Sequence, residues 1–186
     1  MSGRPPLLKV SDEEIGELRR RLEMTRWPVS WPVEPWAAGT DAGELGRLVD
    51  YWANGYDWRR WEAAINELPS HYADIDGHRL HYLRFDGESP AATPIVLTNG
   101  WPSTFFEMVE LAQRLATPSR FDAADEPSFT AIVPSLPGFT FSSQRPTLPA
   151  DLGTHEILHR LMSLMQMIAS ASVRRAKPVE CFKVAT

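Results

Sequence analysis

Chemistry is signalled most clearly at Asn99-Gly100-Trp101-Pro102. A short apolar run, Ile95, Val96 and Leu97, breaks at this turn, and an amphipathic segment follows it to Leu115. Strand, tight Gly/Pro loop and helix are the grammar of an α/β unit, and open α/β sheets place their sites in loops at the carboxyl ends of strands. A backbone amide presented beside a glycine suits holding an oxyanion, because glycine lets the backbone approach a ligand closely. The second signal is His155-Glu156-Ile157-Leu158-His159, a literal H-E-x-x-H. In a zinc peptidase the two imidazoles at i and i+4 bind the metal and the glutamate acts as general base. Here the predicted helix buries Ile157, Leu158, Leu161, Met165 and Ile168. That leaves His155 and His159 on the solvent side, although Glu180, twenty-one residues on, could pose as a third ligand. No metal site is expected.

The remaining histidines, His71, His78 and His81, fall on or beside a predicted hairpin and read as polar strand positions. The tryptophans between Trp27 and Trp61 could form an aromatic-ligand platform. Their spacing among prolines and on helices favours packing. Asp86-Gly87 and the acidic stretch Asp122 to Glu126 read as solvated loops.

These residues need elements to hold them. The first helix has Ser11 as its cap, Glu14 completing a capping box, and Val10 and Ile15 placed as a hydrophobic staple. Ile15, Leu18 and Leu22 share one face, and Pro28 follows the stop. Residues 27–36, WPVSWPVEPW, read as an extended aromatic wrap. A second helix is predicted from Asp41 to Asn54, burying Leu45, Leu48, Val49 and Trp52, with Gly55 as C-cap. A third starts from Asp57 as N-cap, turns Trp58, Trp61, Ile65 and Leu68 inward, and ends before Pro69. The period then changes to that of strands. Asp76-Gly77 between two β-prone runs is a hairpin signal. Strand 94–99, helix 103–116, a strand from Thr130 to Pro134, the loop SLPGFTFSS and a helix from Thr154 to Ala169 complete the order. The expected fold is α/β: a helical extension (1–70), an unfinished α/β sheet (71–168) and a divergent tail (169–186). About 115 residues after the extension are few for a doubly wound domain.

Composition sets outer bounds. The chain has 186 residues, 43% hydrophobic, with seven tryptophans and a net charge of −5. That is enough apolar material for a core. No basic stripe points to nucleic acid, no apolar run approaches a membrane span, and no signal-peptide core precedes the first helix. Cys181 stands alone, which fits a reducing, cytoplasmic setting. Two of the three lysines, Lys177 and Lys183, fall near this cysteine.

Five stretches in order resemble the epoxide hydrolases of the microsomal type, within the α/β-hydrolase fold. They are RRRLEMTRWP (19–28), LVDYWANGYDWRRWEAAINELP (48–69), IDGHRLHYLRF (75–85), NGWPSTFFEMVEL (99–111) and VPSLPGFTFSS (133–143). The resemblance runs over about residues 9–168. It implies that the N–H of Trp101 is one donor of an oxyanion hole in a loop shaped by Asn99, Gly100 and Pro102. The family usually has His where Asn99 stands, so an orienting imidazole is replaced by an amide. The implied reaction is attack by an Asp carboxylate on a small-molecule epoxide, then hydrolysis of the ester by a His-activated water, with two tyrosines polarising the epoxide oxygen. It yields a vicinal diol without a cofactor, in detoxification or aromatic-compound breakdown.

The family's nucleophile sits in a Gly-Gly-Asp-Trp-Gly turn soon after the helix matching 154–168. This chain reads IASASVRRAKPVECFKVAT there. The expectation is that no Gly-x-Asp-x-Gly or Gly-x-Ser-x-Gly elbow is present, that residues from about Met167 form a frameshifted or unrelated tail, and that this polypeptide is inactive. The competing expectations are a non-enzymatic chain that self-associates through its exposed partial sheet, and the zinc peptidase.

Overall fold

The computed structural model describes residues 7–29, 31–75 and 78–143. Contacts divide the chain into two compact units, Met1–Leu68 and Pro69–Thr186.

The first unit is helical. Helix α1, Asp12–Glu23, begins in the expected capping box: the Ser11 hydroxyl accepts from the Glu14 N–H at 3.1 Å, and the Glu14 carboxylate accepts from the Ser11 N–H at 2.9 Å. The Ser11 N–H, and after it the Ser11 hydroxyl donating to the same carboxylate at 2.8 Å, hold the Glu14 carboxyl below its usual range. Helix α2, Ala42–Asp50, is capped by Asp41 and runs on as a π turn, Tyr51–Gly55. Helix α3, Trp58–Glu67, is capped by Asp57. The segment before α1 is tied to α3. Val10 N–H donates to Glu62 at 2.6 Å, and Asn66 exchanges two 2.8 Å bonds with the Leu8 backbone. Arg59 bonds Glu62 at 2.5 Å and also Asp12. The Val10 amide and then Arg59 hold the Glu62 carboxyl below its usual range.

Several expectations for this unit fail. Gly55 is not a left-handed cap: the π turn closes with Tyr56 N–H on Tyr51 C=O at 2.8 Å, and the Tyr51 ring occupies the space a Cβ at Gly55 would need. Leu45 and Leu48 of α2 and Trp52 of the π turn are exposed (Leu48 at 61%), although their stripe predicted burial. A stripe shows which face is apolar, not whether anything lies on it. The Trp27–Trp36 stretch is not a plain extended wrap. It turns at Val33 N–H on Trp31 C=O and at Ala37 N–H on Glu34 C=O, and Trp31 and Trp36 stay 75% and 60% exposed. These residues line an open groove of about 430 Å³ rather than a packed seam.

The second unit carries the sheet. Strands β1, Ser70–Ile75, and β2, His78–Phe85, pair antiparallel from Ser70↔Leu83 to Ile75↔His78, as a hairpin requires, and the predicted Asp76-Gly77 turn lies outside the described residues. Strand β3, Thr93–Val96, leads through a 3-10 turn, Phe105–Met108, into α4, Val109–Ala116. Strand β4, Phe129–Pro134, then enters between β2 and β3, giving the order β1-β2-β4-β3. It is antiparallel to β2 and parallel to β3. Helix α4 packs on β4, and its Ala112 and Ala116 are buried. Leu80 and Ile132 centre the core, with Ala73, Tyr82 and Val96 against them. The predicted helix 154–169 lies outside the described residues.

Candidate functional site

Because β3 and β4 run parallel and adjacent, the loops leaving their carboxyl ends, residues 97–104 and 135–143, emerge at the same end of the sheet. That end is where an α/β sheet builds its crevice.

The first loop is a tight turn. The Leu97 N–H still bonds Ile132 C=O at 2.9 Å, and the Ser103 N–H closes on Gly100 C=O at 2.9 Å. The Trp101–Pro102 peptide within it is cis. Trp101 is 86% exposed, and its N–H donates to nothing among the described residues. Asn99 is 5% exposed; its Nδ2 donates to Gly100 C=O at 3.3 Å, while its Oδ1 has no partner among the described residues. Gly100 has no atom within 4 Å of where a Cβ would lie, so crowding inside the chain does not call for glycine there. Beyond the turn, Ser103 bonds Glu107, Thr104 Oγ1 accepts from the Phe106 N–H at 3.3 Å, and Phe105 is buried. The four residues expected from sequence are thus contiguous around one open backbone donor.

The second loop bends at Gly138, whose φ of 83° lies in the left-handed region. Its hydroxyls form a network: Ser135 Oγ lies 2.8 Å from Thr140 Oγ1, and Ser142 Oγ donates to Ser135 C=O at 2.7 Å.

Between the two loops stands His81, which sequence reasoning placed among polar strand positions. It is fully buried. Its Nδ1 lies 2.9 Å from Ser135 Oγ, and its ring meets Phe105, Phe141 and Tyr72 at 5.1, 5.2 and 5.5 Å between centroids. The misreading has a physical cause. β2 is an inner strand with side chains buried on both faces (Leu80 on one, His81 and Leu83 on the other), so polar-out alternation fails. The apolar Leu80, Tyr82 and Leu83 flanking it were the available signal. His71, by contrast, is exposed and stacks on Tyr82 at 5.4 Å.

A second correction concerns the nucleophile motif. One literal Gly-x-Asp-x-Gly does occur, Gly39-Thr40-Asp41-Ala42-Gly43, against the expectation of none. No strand leads into it. Asp41 caps α2, its carboxylate accepting from the Glu44 N–H at 2.9 Å. A nucleophile elbow needs a strand-to-helix turn that thrusts the side chain out above a sheet, and this one is engaged in a helix start. Among the described residues no group of three or more His, Cys, Asp or Glu could hold a metal ion, and His155, Glu156, His159 and Glu180 lie outside them. Nor is any described helix long and apolar enough to cross a membrane.

The model of the epoxide hydrolase N terminus matches residues 4–108, more than half of the chain and inclusive of the Asn99–Pro102 turn. The chain belongs to the epoxide hydrolase family. It is 40% identical over 140 residues to a putative epoxide hydrolase of Stigmatella aurantiaca, covering 75% of this chain and 32% of the relative. Against Epoxide hydrolase 1 of Sus scrofa the identity is 30% over 143 residues, with the same two coverages. This epoxide hydrolase family chain therefore spans about a third of the length of the curated relatives it matches. The structure of Aspergillus niger epoxide hydrolase superposes with a TM-score of 0.69 at 27% identity, over 89% of this chain and 43% of that one. The four strands are accordingly part of an α/β-hydrolase sheet behind a helical N-terminal extension.

Proposed function

We propose that this chain forms the N-terminal extension (1–70) and the opening part of the catalytic core (71–168) of an enzyme that adds water to an epoxide to give a vicinal diol. The observation that carries the reading is the Asn99–Pro102 turn: an N–H of the exposed Trp101 that has no acceptor among the described residues, at the carboxyl end of a parallel strand, in a chain of this family. In the implied reaction a carboxylate opens the epoxide, a tyrosine hydroxyl gives a proton to the ring oxygen as its C–O bond breaks, and water then cleaves the ester. The second step passes through a tetrahedral oxyanion, and a preorganised N–H aimed at it is worth about a hundredfold or more in rate. Asn99, through its bond to Gly100 C=O, orients the peptide that precedes Trp101.

The polypeptide by itself forms no diol on this reading, because its single Gly-x-Asp-x-Gly is a helix cap. The test is diol formation from styrene oxide by the purified 186-residue protein. Turnover above the buffer blank, scaling with protein, overturns the claim of inactivity. Loss of that turnover in Asp41→Asn would then name the nucleophile.

A second reading, self-association, is favoured by the sheet edge. Leu97 N–H points to β4, so by alternation Val96 and Thr98 present their N–H groups outward, and no described strand pairs with that side of β3. Size-exclusion chromatography with light scattering tests it, and a sharp monomer peak counts against it.

A further inference from the structure

No step of the proposed hydrolysis uses His81, yet its fully buried side chain touches an anchor of each loop at the site. Toward residues 97–104 the contact is aromatic: the imidazole meets Phe105 edge-on at 5.1 Å and 61°, and Phe105 opens the 3-10 turn directly after Thr104. Toward residues 135–143 the contact is polar. Nδ1 lies 2.9 Å from Ser135 Oγ, which is itself 2.8 Å from Thr140 Oγ1. The backbone of the same residue strengthens this second tie. The His81 N–H donates to Ser142 Oγ at 2.9 Å, and the His81 C=O accepts from the Ser135 N–H at 2.9 Å. Phe141 closes the arrangement, 5.2 Å from His81 and 5.8 Å from Phe105.

We infer that His81 is a positioning residue that ties the two loops together by two different chemistries, ring packing on Phe105 and hydrogen bonding to Ser135. A phenyl group at this place would keep the first tie and lose the side-chain bond to Ser135, leaving only the two backbone bonds of the second. An asparagine would keep a polar atom near the Nδ1 position and lose the ring. Histidine alone of these supplies both, so the turn that presents Trp101 N–H is fixed relative to the facing loop. The functional meaning rests on the oxyanion reading of Asn99–Pro102, whereas the coupling itself is measurable without it.

The test is site-resolved amide hydrogen exchange on the 186-residue protein, with three reporter amides. Ser103 bonds Gly100 C=O in the first loop, Ser142 bonds Phe139 C=O in the second, and Leu97 bonds Ile132 C=O in the ladder. In His81→Phe, Ser142 should exchange about tenfold faster relative to Leu97, the change expected for losing one hydrogen bond, with Ser103 unmoved. In His81→Asn the pattern inverts: Ser103 accelerates by a similar factor and Ser142 is spared. Ser135→Ala, which leaves the imidazole in place, should reproduce the His81→Phe pattern. Should a His81 variant fail to fold, Ser135→Ala decides alone, and unchanged Ser142 exchange there overturns the inference. So does a common acceleration of all three amides in both His81 variants, which would mark His81 as ordinary core. Diol formation by the chain alone would overturn its proposed inactivity and leave this exchange pattern untouched.

Discussion

Phe105 is where the packing of the sheet unit meets the candidate site, and Phe105→Ala is the sharpest perturbation of both. The side chain is 3% exposed and its ring lies 5.1 Å from His81 and 5.8 Å from Phe141. Truncating a buried phenylalanine costs about 3–5 kcal/mol, the lost transfer energy plus the cavity left behind. Phe105 sits in a 3-10 turn beside an exposed loop, so partial collapse is available and the lower end, about 3 kcal/mol, is expected. At about 2.1 cal/mol/K per residue, a unit as long as Pro69–Thr186 loses about 4 °C of Tm per kcal/mol, so the predicted drop is about 12 °C. The probe matters. Six of the seven tryptophans precede Leu68, and only Trp101 lies in the second unit, so bulk fluorescence reports the wrong part of the chain. Methyl NMR signals of Leu83 and Ile132, both buried, follow the sheet directly. Leu111→Ala on α4, where Leu111 is 46% exposed, is the control and should fall within about 0.5 kcal/mol of wild type. A Phe105→Ala loss under about 1 kcal/mol, or a Leu111→Ala loss of equal size, would refute the placement of Phe105 as the anchor of the loop.

Ser11→Ala should weaken the first unit by about 1 kcal/mol through loss of the capping box, read by urea titration of tryptophan fluorescence. Glu62 has a folded-state pKa below its ordinary 4.5, held there first by the Val10 N–H and then by Arg59. Its stabilisation is therefore complete above that value and is lost as pH falls through the lowered one, so Glu62→Gln should give a shallower acid limb in the same titration; equal limbs would show that the tie is not formed. A Cβ at Gly87 would stand 2.3 Å from Ala92 Cβ and 3.1 Å from the Phe129 backbone, whereas one at Gly100 meets nothing. Gly87→Ala should cost about 1–3 kcal/mol and Gly100→Ala less than about 0.5, by thermal unfolding followed at the same methyls.

The features legible in the sequence are those decided by neighbouring residues. The Ser11/Glu14 box, the cap at Asp57, the β1–β2 hairpin and the strand-turn-helix at Asn99–Pro102 are each written within a few positions. Their chemistry is local, so pattern sufficed. What stayed hidden depends on partners distant in sequence. His81 looked like a polar strand residue because its burial follows from β4 and from Ser135, fifty-four positions on. The exposure of Leu48 and Trp52 is the reverse case, an apolar stripe whose pattern could not say what covers it. The Gly39–Gly43 motif shows that a string of letters is not a site: the same residues that make an elbow after a strand make a cap before a helix. Asn99 belongs to both classes, since the turn was evident but its 5% exposure and unpartnered Oδ1 were not.

The central proposal is that the Asn99–Pro102 turn presents an oxyanion donor and that Asp41, the aspartate of the Gly-x-Asp-x-Gly motif, does not serve as its nucleophile. The most direct measurement is diol production when the purified protein is incubated with styrene oxide, against a buffer blank and Asp41→Asn. The account predicts diol no faster than the blank for both proteins. Diol that rises in proportion to the concentration of the unmodified chain would contradict it.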